Sequence, residues 1–328
     1  MRKFLMTLSL VALLLLSALA AAIAFGGPAE PPPMPAINDP FKRIDLSDLP
    51  APRQFTARDG TSMAYRAYAP QGASHGSAVL VHGSSASSVS LHVLARALAA
   101  SGLATYALDI RGHGGSGTRG QIAYIGQLDD DLEDFMRSVQ PARPATLAGF
   151  SSGGGFALRV ASGERQTLFD HYLLLAPFIS QDAPTYRADS GGWVRVGIAR
   201  IAALSLLDAM GVQAFGSLPV TRFALNEQAK AMLTPSYGYA LATNFRPRAD
   251  WRASIRSARQ PMGLLAGEQD EAFFAERYAG LFQTEGKDMP LTLLPGVGHV
   301  GLTLEPQAVL AVAAAVHALQ AGPSVALR

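Results

Sequence analysis

Apolar residues dominate the first segment of the chain. Arg2 and Lys3 precede residues 4–29, which carry no charge and contain a leucine-rich core. A run of about 20 apolar residues can cross a bilayer, and the small residues near its end also fit a signal-peptide cleavage site. Residues 1–27 are therefore predicted to be a signal peptide or a membrane anchor. Because the basic residues stay in the cytoplasm, the body is expected to be exported, either periplasmic or extracellular or anchored outside the cytoplasmic membrane.

Prolines interrupt the pattern in the next segment, residues 28–52. Eight prolines fall in this segment, a density that prevents a regular helix and predicts an extended, solvated linker. The folded body is expected to begin near Arg53. Two strand-like runs, 54–57 and 62–68, flank the turn dipeptide Asp59-Gly60, so the body is predicted to open with a β-hairpin.

Beyond the hairpin, short apolar runs alternate with segments of helical periodicity. Short apolar runs are typical of strands that are covered on both faces. The predicted strands are residues 78–81, 103–109, 145–150, 172–176, 262–266 and 291–294. The predicted helices are residues 89–100, 128–139, 153–161, 272–282 and 306–319. This alternation predicts an α/β fold in which a mostly parallel central sheet is flanked by helices.

The alternation stops between about residues 178 and 251, where no central strand is evident. Apolar residues recur at helical spacing in 194–210, so the interruption is predicted to be an inserted helical cap. Its apolar and aromatic residues fit two roles equally well, a pocket for an acyl chain or ordinary core packing. The aromatic residues considered for the pocket are Trp193, Phe215, Tyr237, Tyr239, Phe245 and Trp251.

The amino-acid composition excludes several kinds of functional site. The chain has no cysteine, which excludes disulfides, thiolate metal sites and a cysteine nucleophile. The formal charge is only +2, and no run of basic and aromatic residues suggests a nucleic-acid partner. The glycine-rich stretches lack both the lysine of a phosphate-binding loop and the spacing of a dinucleotide site. No cofactor, metal ion or nucleic acid is therefore expected.

A serine stands at the junction between a predicted strand and a predicted helix. Ser151 lies in Gly149-Phe150-Ser151-Ser152-Gly153, which matches the Gly-x-Ser-x-Gly pattern of a nucleophile elbow. A serine hydroxyl becomes a good nucleophile only when an imidazole accepts its proton and a carboxylate orients that imidazole. The chain must therefore supply a histidine and an acid at the same edge of the sheet.

Two late loops supply these partners. His299 follows the predicted strand 291–294 and is flanked by glycine and valine, so it is the candidate base. Asp270 follows the strand 262–266 and is the candidate acid, because its short side chain suits a fixed turn. Glu268 in the same loop remains the alternative acid. The order of serine, acid and histidine along the chain is the one that a hydrolase of this kind of sheet uses.

Taken together, these segments resemble the α/β-hydrolase fold family, in the branch that contains monoacylglycerol lipases, lysophospholipases and serine aminopeptidase-like hydrolases. The resemblance covers about residues 53–320, with the cap inserted at about 178–251. The segments that carry it are His82-Gly83, Asp109-Ile110-Arg111-Gly112-His113-Gly114-Gly115-Ser116, the elbow at Ser151, Gly267-x-x-Asp270 and Gly298-His299.

The resemblance implies an enzyme, a serine hydrolase that cleaves lipid-like or small acyl esters such as monoacylglycerol or lysophospholipid through an acyl-enzyme. It also implies an oxyanion hole made by the backbone amides of Ser84 and Ser152, and a structural role for the Arg-Gly-His-Gly loop. In residues 178–252, eight basic residues against five acidic ones favour a neutral or anionic ester. The alternatives are an aminopeptidase, amidase or acyltransferase with the same three residues, or a non-catalytic binding protein at the membrane.

Overall fold

A computed structural model describes residues 1–34, 44–188 and 192–322 of the chain. The middle of the proline-rich linker and a short part of the predicted cap lie outside the described residues. The strands are β1 (Arg53–Thr56), β2 (Ser62–Tyr68), β3 (Ser77–Val81), β4 (Ala104–Leu108), β5 (Ala145–Phe150), β6 (His171–Leu175), β7 (Val194–Val196), β8 (Pro219–Phe223), β9 (Ser236–Gly238), β10 (Met262–Gly267) and β11 (Leu291–Leu294). The α-helices are α1 (Arg2–Phe25), α2 (His92–Ala100), α3 (Gln127–Val139), α4 (Ser152–Ala161), α5 (Ile198–Ala209), α6 (Glu227–Met232), α7 (Tyr239–Asn244), α8 (Trp251–Ser257), α9 (Tyr278–Thr284), α10 (Gly301–Leu304) and α11 (Pro306–Ala321).

Eight strands form the main sheet, in the order β1-β2-β4-β3-β5-β6-β10-β11. The first two pairs are antiparallel, and every pair from β4 to β11 is parallel. The fold is therefore α/β with a mostly parallel central sheet, as the sequence pattern predicts. The carboxyl ends of β3, β5, β10 and β11 lie along one edge, where the loops that follow them can converge on a ligand.

The central strands are covered on both faces. Every residue of β3, β5 and β10 is buried, which agrees with their mostly apolar sequences. Helix α4 packs on β5 and β6, and α2 and α11 pack on each other. Helix α2 also contacts β2 and β4, and α11 also contacts β5, β6 and β10. The junction between β5 and α4 is thus buried near the middle of the sheet.

The insertion between β6 and α8 contains a small second sheet as well as helices. Strands β7, β8 and β9 pair antiparallel, and α5, α6 and α7 belong to the same insertion. The sequence pattern predicts helix from residue 194, but residues Val194–Val196 form β7 and the helix begins at Ile198. Three alternating residues beside a long apolar run are too few to register as a strand, and the buried Gly197 separates the two elements.

Helix α1 is exposed along nearly its whole length. Its mean hydropathy reaches 2.6, and within the described ranges it is the one helix that is long and apolar enough to cross a membrane. Near its end Leu19, Ala22 and Ile23 are half-buried, where α1 packs against the cap helix α5. Residues three and four apart share a helix face, so the contact uses one stripe of α1.

Residues 28–34, the described start of the proline-rich segment, lie against the cap, whereas the sequence predicts a solvated linker. The carboxylate of Glu30 pairs with Arg222 at 2.5 Å and with Lys230 at 2.7 Å. The backbone amide of Met34 donates to the carbonyl of Ala224 at 2.9 Å. Prolines prevent a helix here, but they do not prevent an extended chain from pairing with the charges and the strand edge that the cap offers.

Candidate active site

Ser151 sits on a sharp turn between β5 and α4. Its φ of 55° lies in a region that costs energy for any residue other than glycine, and its amide donates to the carbonyl of Leu175 at 2.9 Å. Helix α4 comes so close to β3 that a Cβ atom on Gly153 would lie 2.5 Å from the backbone oxygens of Val81 and His82. The glycine therefore permits the close approach that a nucleophile elbow requires.

The loop after β11 carries His299 to the same edge of the sheet. Its Nε2 atom lies 3.0 Å from Oγ of Ser151, and its Nδ1 atom lies 2.8 Å from Oδ2 of Asp270. The ring lies between Phe150 and Phe273, with centroid distances of 4.8 Å and 5.2 Å. Three side chains that are far apart in the sequence thus form one hydrogen-bonded line, and two aromatic rings fix the imidazole between them.

Asp270 is held by the backbone of its own loop. Its side chain accepts hydrogen bonds at Oδ1 from the amides of Ala272 and Phe273, both at 2.8 Å, and the residue is only 2% exposed. The second oxygen, Oδ2, is left to accept the Nδ1 hydrogen of His299, which fixes the tautomer with Nε2 free to accept a proton. Glu268 is exposed, so the structure brings Asp270 rather than Glu268 to the imidazole.

Two carboxylates act on the imidazole of His299. Burial alone lowers the pKa of His299, but the charge and hydrogen bond of Asp270 raise it and Glu271 adds to the increase, so the net direction is upward. Glu271 also accepts the backbone amide of His299 at 2.9 Å. No sequence pattern indicates this contact, because only the folded loop after β11 brings His299 back to the residue beside Asp270.

The two predicted oxyanion donors border the same space as the serine. Ser84 lies in a turn after β3, and Ser152 is the first residue of α4; both line the cavity that contains Ser151. A Cβ atom on Gly83 would lie 3.4 Å from Cβ of Ser151, so the turn packs directly on the serine. Within the described part of the chain, the amides of Ser84 and Ser152 have no protein acceptor and are free to bind a ligand.

The charged loop after β4 is held by contacts inside the protein. The carboxylate of Asp109 accepts the backbone amide of Ser88 at 2.7 Å. The guanidinium of Arg111 pairs with Asp131 at 2.6 Å and with Asp59 at 2.9 Å. Among the described residues there is no group of three His, Cys, Asp or Glu side chains that could hold a metal ion. These charges brace the loop beside the candidate site.

A cavity of about 250 Å³ opens over Ser151 and His299. Its walls are largely apolar and come from the cap and from the segment after α1, which contributes Met34. The cap residues that line the cavity include Trp193, Val196, Ile201, Val220, Phe223 and Tyr237. A concave, mostly apolar space with a few polar groups at one end is the usual form of a site for a small apolar ligand.

The aromatic residues of the cap divide between the two roles that the sequence leaves open. Trp193, Tyr237, Tyr239 and Phe245 border the cavity, whereas Trp251 is buried away from it and Phe215 is exposed. Periodicity along the chain cannot separate these roles, because the cavity wall is also one side of the cap's own core.

Arg246 is the cationic side chain of the cavity wall. Its Nη1 atom donates to Oε1 of Gln181 at 3.2 Å, and within the described residues it forms no ion pair with a carboxylate closer than 4 Å. Burial lowers the pKa of Arg246, and the nearby charge of Asp182 partly offsets that decrease. A guanidinium with few partners in an apolar wall is suited to an anionic group on a ligand.

The sheet order, the elbow and the inserted cap define an α/β hydrolase. A family model described as Hydrolase_4, serine aminopeptidase S33, matches residues 72–307. The chain therefore belongs to this family of hydrolases.

Known proteins similar to the chain include lipases. The monoacylglycerol lipase of Mycolicibacterium smegmatis is 33% identical over 116 residues, which are 34% of this chain and 41% of that lipase. The match thus spans less than half of the curated relative.

Solved structures with a similar fold also include lipases. One is a soluble variant of the monoglyceride lipase of Saccharomyces cerevisiae in complex with a substrate analogue. It has a TM-score of 0.61 at 18% identity and covers 81% of this chain and 93% of that one. A membrane phospholipase A, described as a bacterial virulence factor, has a TM-score of 0.57 at 16% identity and covers 98% of this chain and 99% of that one. At these identities the two structures indicate the shared fold alone.

Proposed function

We propose that the protein is a serine hydrolase that cleaves carboxylic esters of lipid-like or small acyl character. The observation that carries the proposal is the line from Ser151 through His299 to Asp270, with distances of 3.0 Å and 2.8 Å, in an apolar cavity. A binding protein without catalysis has no need of a strained serine, an oriented imidazole and a buried carboxylate in one line. The geometry therefore favours catalysis over binding alone.

In the proposed reaction, Oγ of Ser151 attacks the ester carbonyl while Nε2 of His299 takes its proton. The charge that develops on the carbonyl oxygen is stabilised by the amides of Ser84 and Ser152. The imidazolium, stabilised by Asp270, then protonates the departing alcohol and leaves an acyl group on the serine. A water molecule, activated by the same imidazole, releases the acid and restores the serine. These reaction steps require no cofactor.

The cavity and the relatives support the proposed substrate class. The walls from the cap are apolar and suit an acyl chain, and Arg246 suits an anionic or polar head group. The names of two similar proteins, a monoacylglycerol lipase and a monoglyceride lipase, support a monoacylglycerol-like substrate. A lysophospholipid fits the same cavity and adds a phosphate for Arg246.

We further propose that α1 is a retained anchor in the cytoplasmic membrane, with the hydrolase body outside. The guanidinium of Arg200 in the cap donates to the carbonyls of Ile23 and Ala24 at 2.7 Å and 2.9 Å, and Met34 borders the cavity. Cleavage after Ala24 would remove both of these acceptors. The similarity to the membrane phospholipase A, which extends over 98% of this chain, also includes most of α1.

Labelling with an active-serine phosphonate tests the catalytic part of the proposal. We expect the wild-type protein to be labelled and Ser151→Ala to remain unlabelled. A panel of nitrophenyl esters of increasing chain length, together with an aminoacyl anilide, then tests the substrate class. Activity on the anilide alone would replace the esterase assignment with an aminopeptidase, and equal labelling of Ser151→Ala would remove the proposed nucleophile.

The mass of the protein extracted from membranes tests the anchor. We expect the intact mass to include α1 and the protein to need detergent for extraction. A mass that lacks residues 1–24, with the body free in the exported fraction, would assign α1 as a cleaved signal peptide.

A further inference from the structure

The hydroxyl group of Tyr237 connects the cap to the turn that carries Ser84. Tyr237 lies in β9 and is 4% exposed. Its hydroxyl oxygen accepts the backbone amide of Ser85 at 2.5 Å and lies 2.7 Å from Nε2 of His113. The contact therefore joins three segments, namely the cap, the turn after β3 and the loop after β4.

When His113 is neutral, each hydrogen bond of Tyr237 and His113 has one donor and one acceptor. Burial lowers the pKa of His113, and the neighbouring His82 lowers it further. The Nδ1 atom of His113 lies 3.3 Å from the carbonyl of Arg111, so Nδ1 carries the hydrogen and Nε2 accepts. Burial raises the pKa of Tyr237, so its hydroxyl stays protonated and donates to Nε2 while it accepts from Ser85.

The turn that Tyr237 holds is in a conformation that needs support. Ser85 has a φ of 68°, and the amide of Ala86 donates to the carbonyl of Gly83 at 3.3 Å, as in a type II turn with a positive φ at its third position. That position normally takes glycine or asparagine. The Oγ atom of Ser85 donates to the carbonyl of Thr234 at 2.7 Å, and the amide of Thr234 donates back to the carbonyl of Ser85 at 2.8 Å.

We propose that Tyr237 is a positioning residue for the oxyanion hole, and that through it the cap holds the amide of Ser84 where the transition state needs it. This inference rests on the proposed function. Ser84 immediately precedes the residue that Tyr237 and Thr234 hold, and both anchors belong to the cap insertion. A cap that is displaced from the body would release the turn and weaken one of the two oxyanion donors. Catalysis is thereby coupled to the position of the element that covers the substrate.

Kinetics of Tyr237→Phe test the proposal, because phenylalanine keeps the ring and removes only the hydroxyl. We expect kcat for a short nitrophenyl ester to fall by about tenfold or more, since loss of a whole oxyanion donor costs about 100-fold to 1,000-fold. We expect KM to change by less than about twofold, because the ground state does not use the hole fully. Affinity for an alkyl trifluoromethyl ketone, which forms a tetrahedral adduct with the serine, should fall in parallel with kcat/KM.

Tyr68→Phe provides the matched control. The hydroxyl of Tyr68 lies 3.0 Å from Nδ1 of the buried His92, so the variant breaks another buried tyrosine–histidine hydrogen bond. Tyr68 does not border the cavity, so we expect wild-type kcat and ketone affinity. Equal losses in both variants would assign the Tyr237 effect to general stability and overturn the proposal.

Further outcomes separate the inference from the function on which it rests. Wild-type kinetics and ketone affinity in Tyr237→Phe would overturn the positioning role while leaving the esterase intact. A wild-type protein without esterase activity or phosphonate labelling would instead overturn the proposed function. If Tyr237→Phe does not fold, His113→Gln replaces the imidazole that accepts the tyrosine proton by an amide, although it also removes the ring that contacts Tyr237 and Phe245; a fall in kcat with retained KM supports the proposal, and wild-type kinetics contradicts it.

Discussion

The guanidinium of Arg200 donates to the backbone carbonyl of Ile23 at 2.7 Å and so ties the cap to the last turn of α1. The same side chain donates to the carbonyls of Ala24 and Pro219. The last carbonyls of a helix have no partner within the helix, and a cation there also interacts favourably with the helix dipole. Arg200 thus supplies hydrogen bonds to carbonyls in the last turn of α1 and joins that turn to β8. Strand β8 contributes to the cavity wall.

Replacing Arg200 by methionine should loosen this connection. Three carbonyls lose a charged donor, and a net hydrogen bond to a charged group contributes about 1.5–3 kcal/mol; because the site is partly exposed, we expect the free energy of unfolding to fall by only about 1–2 kcal/mol. Denaturant unfolding in detergent measures the change. Arg195→Gln in the exposed part of β7 is the control and should leave stability unchanged. An Arg200→Met protein as stable as the wild type would contradict this account of the contact.

Asp270→Asn should abolish most of the activity without unfolding the protein. An asparagine keeps the size of the side chain but cannot fix the imidazole tautomer or stabilise its positive form, and comparable changes cost on the order of 10⁴-fold in kcat. Ester hydrolysis by the purified variant measures the loss. Glu268→Gln changes an exposed carboxylate in the same loop and should retain wild-type activity; a larger loss there than in Asp270→Asn would reverse the assignment of the acid.

The pH dependence of kcat/KM should report the raised pKa of His299. The imidazole must be neutral to accept the serine proton, so activity is lost as the pH falls through this pKa. Because the net shift is upward, we expect the midpoint of the acid limb above the usual histidine value of about 6.5. Glu271→Gln keeps an acceptor for the amide of His299 but removes a charge that raises the pKa, so the midpoint should move to lower pH. A midpoint that stays in place would exclude Glu271 from this role.

Much of the fold follows from local patterns in the amino-acid sequence. Buried, mostly apolar strands such as β5, and the glycine pattern around Ser151, determine their own structure through burial and close approach, so both are predictable from sequence. The pairing of Asp270 with His299 follows from the order of the parallel strands, because the loops after them end at one edge. These features depend on few long-range contacts.

Other features depend on contacts that no local pattern encodes. The three-residue strand β7 forms because it pairs with β8. Glu30 binds the cap because the folded cap places Arg222 and Lys230 next to its carboxylate. The hydrogen bond between Tyr237 and the turn at Ser85 joins residues that are 152 positions apart. Such contacts between the insertion and the body require the folded cap before they can be recognised.

Arg246→Gln should change selectivity between esters of different charge. The guanidinium lines the cavity without a carboxylate partner among the described residues, so it can pair with a phosphate on the substrate. With wild-type protein, we expect a lower KM for a lysophosphatidylglycerol than for the monoacylglycerol with the same acyl chain. In the variant, KM for the lysophospholipid should rise by about tenfold while KM for the monoacylglycerol changes by less than about twofold. Equal changes for both esters would indicate a role in cavity shape rather than in charge recognition.

Gly153→Ala should damage both stability and activity, although alanine is the better helix former. A Cβ atom at this position would lie 2.5 Å from the backbone oxygens of Val81 and His82, and backbone cannot yield as a flexible side chain can. Overpacking of this kind costs about 1–3 kcal/mol, which exceeds the gain of about 1 kcal/mol from helix propensity. Because α4 must move away from β3, Ser151 shifts relative to His299, and we expect ester hydrolysis to fall even at temperatures where the variant is folded.

Gly280→Ala in α9 is the control variant. Nothing lies within 4 Å of its added Cβ, so it should raise the free energy of unfolding by about 0.5–1 kcal/mol with unchanged activity. Thermal unfolding and kcat of the two variants, measured side by side, decide the matter: if both alanines stabilise the protein, the elbow does not depend on the close approach at Gly153.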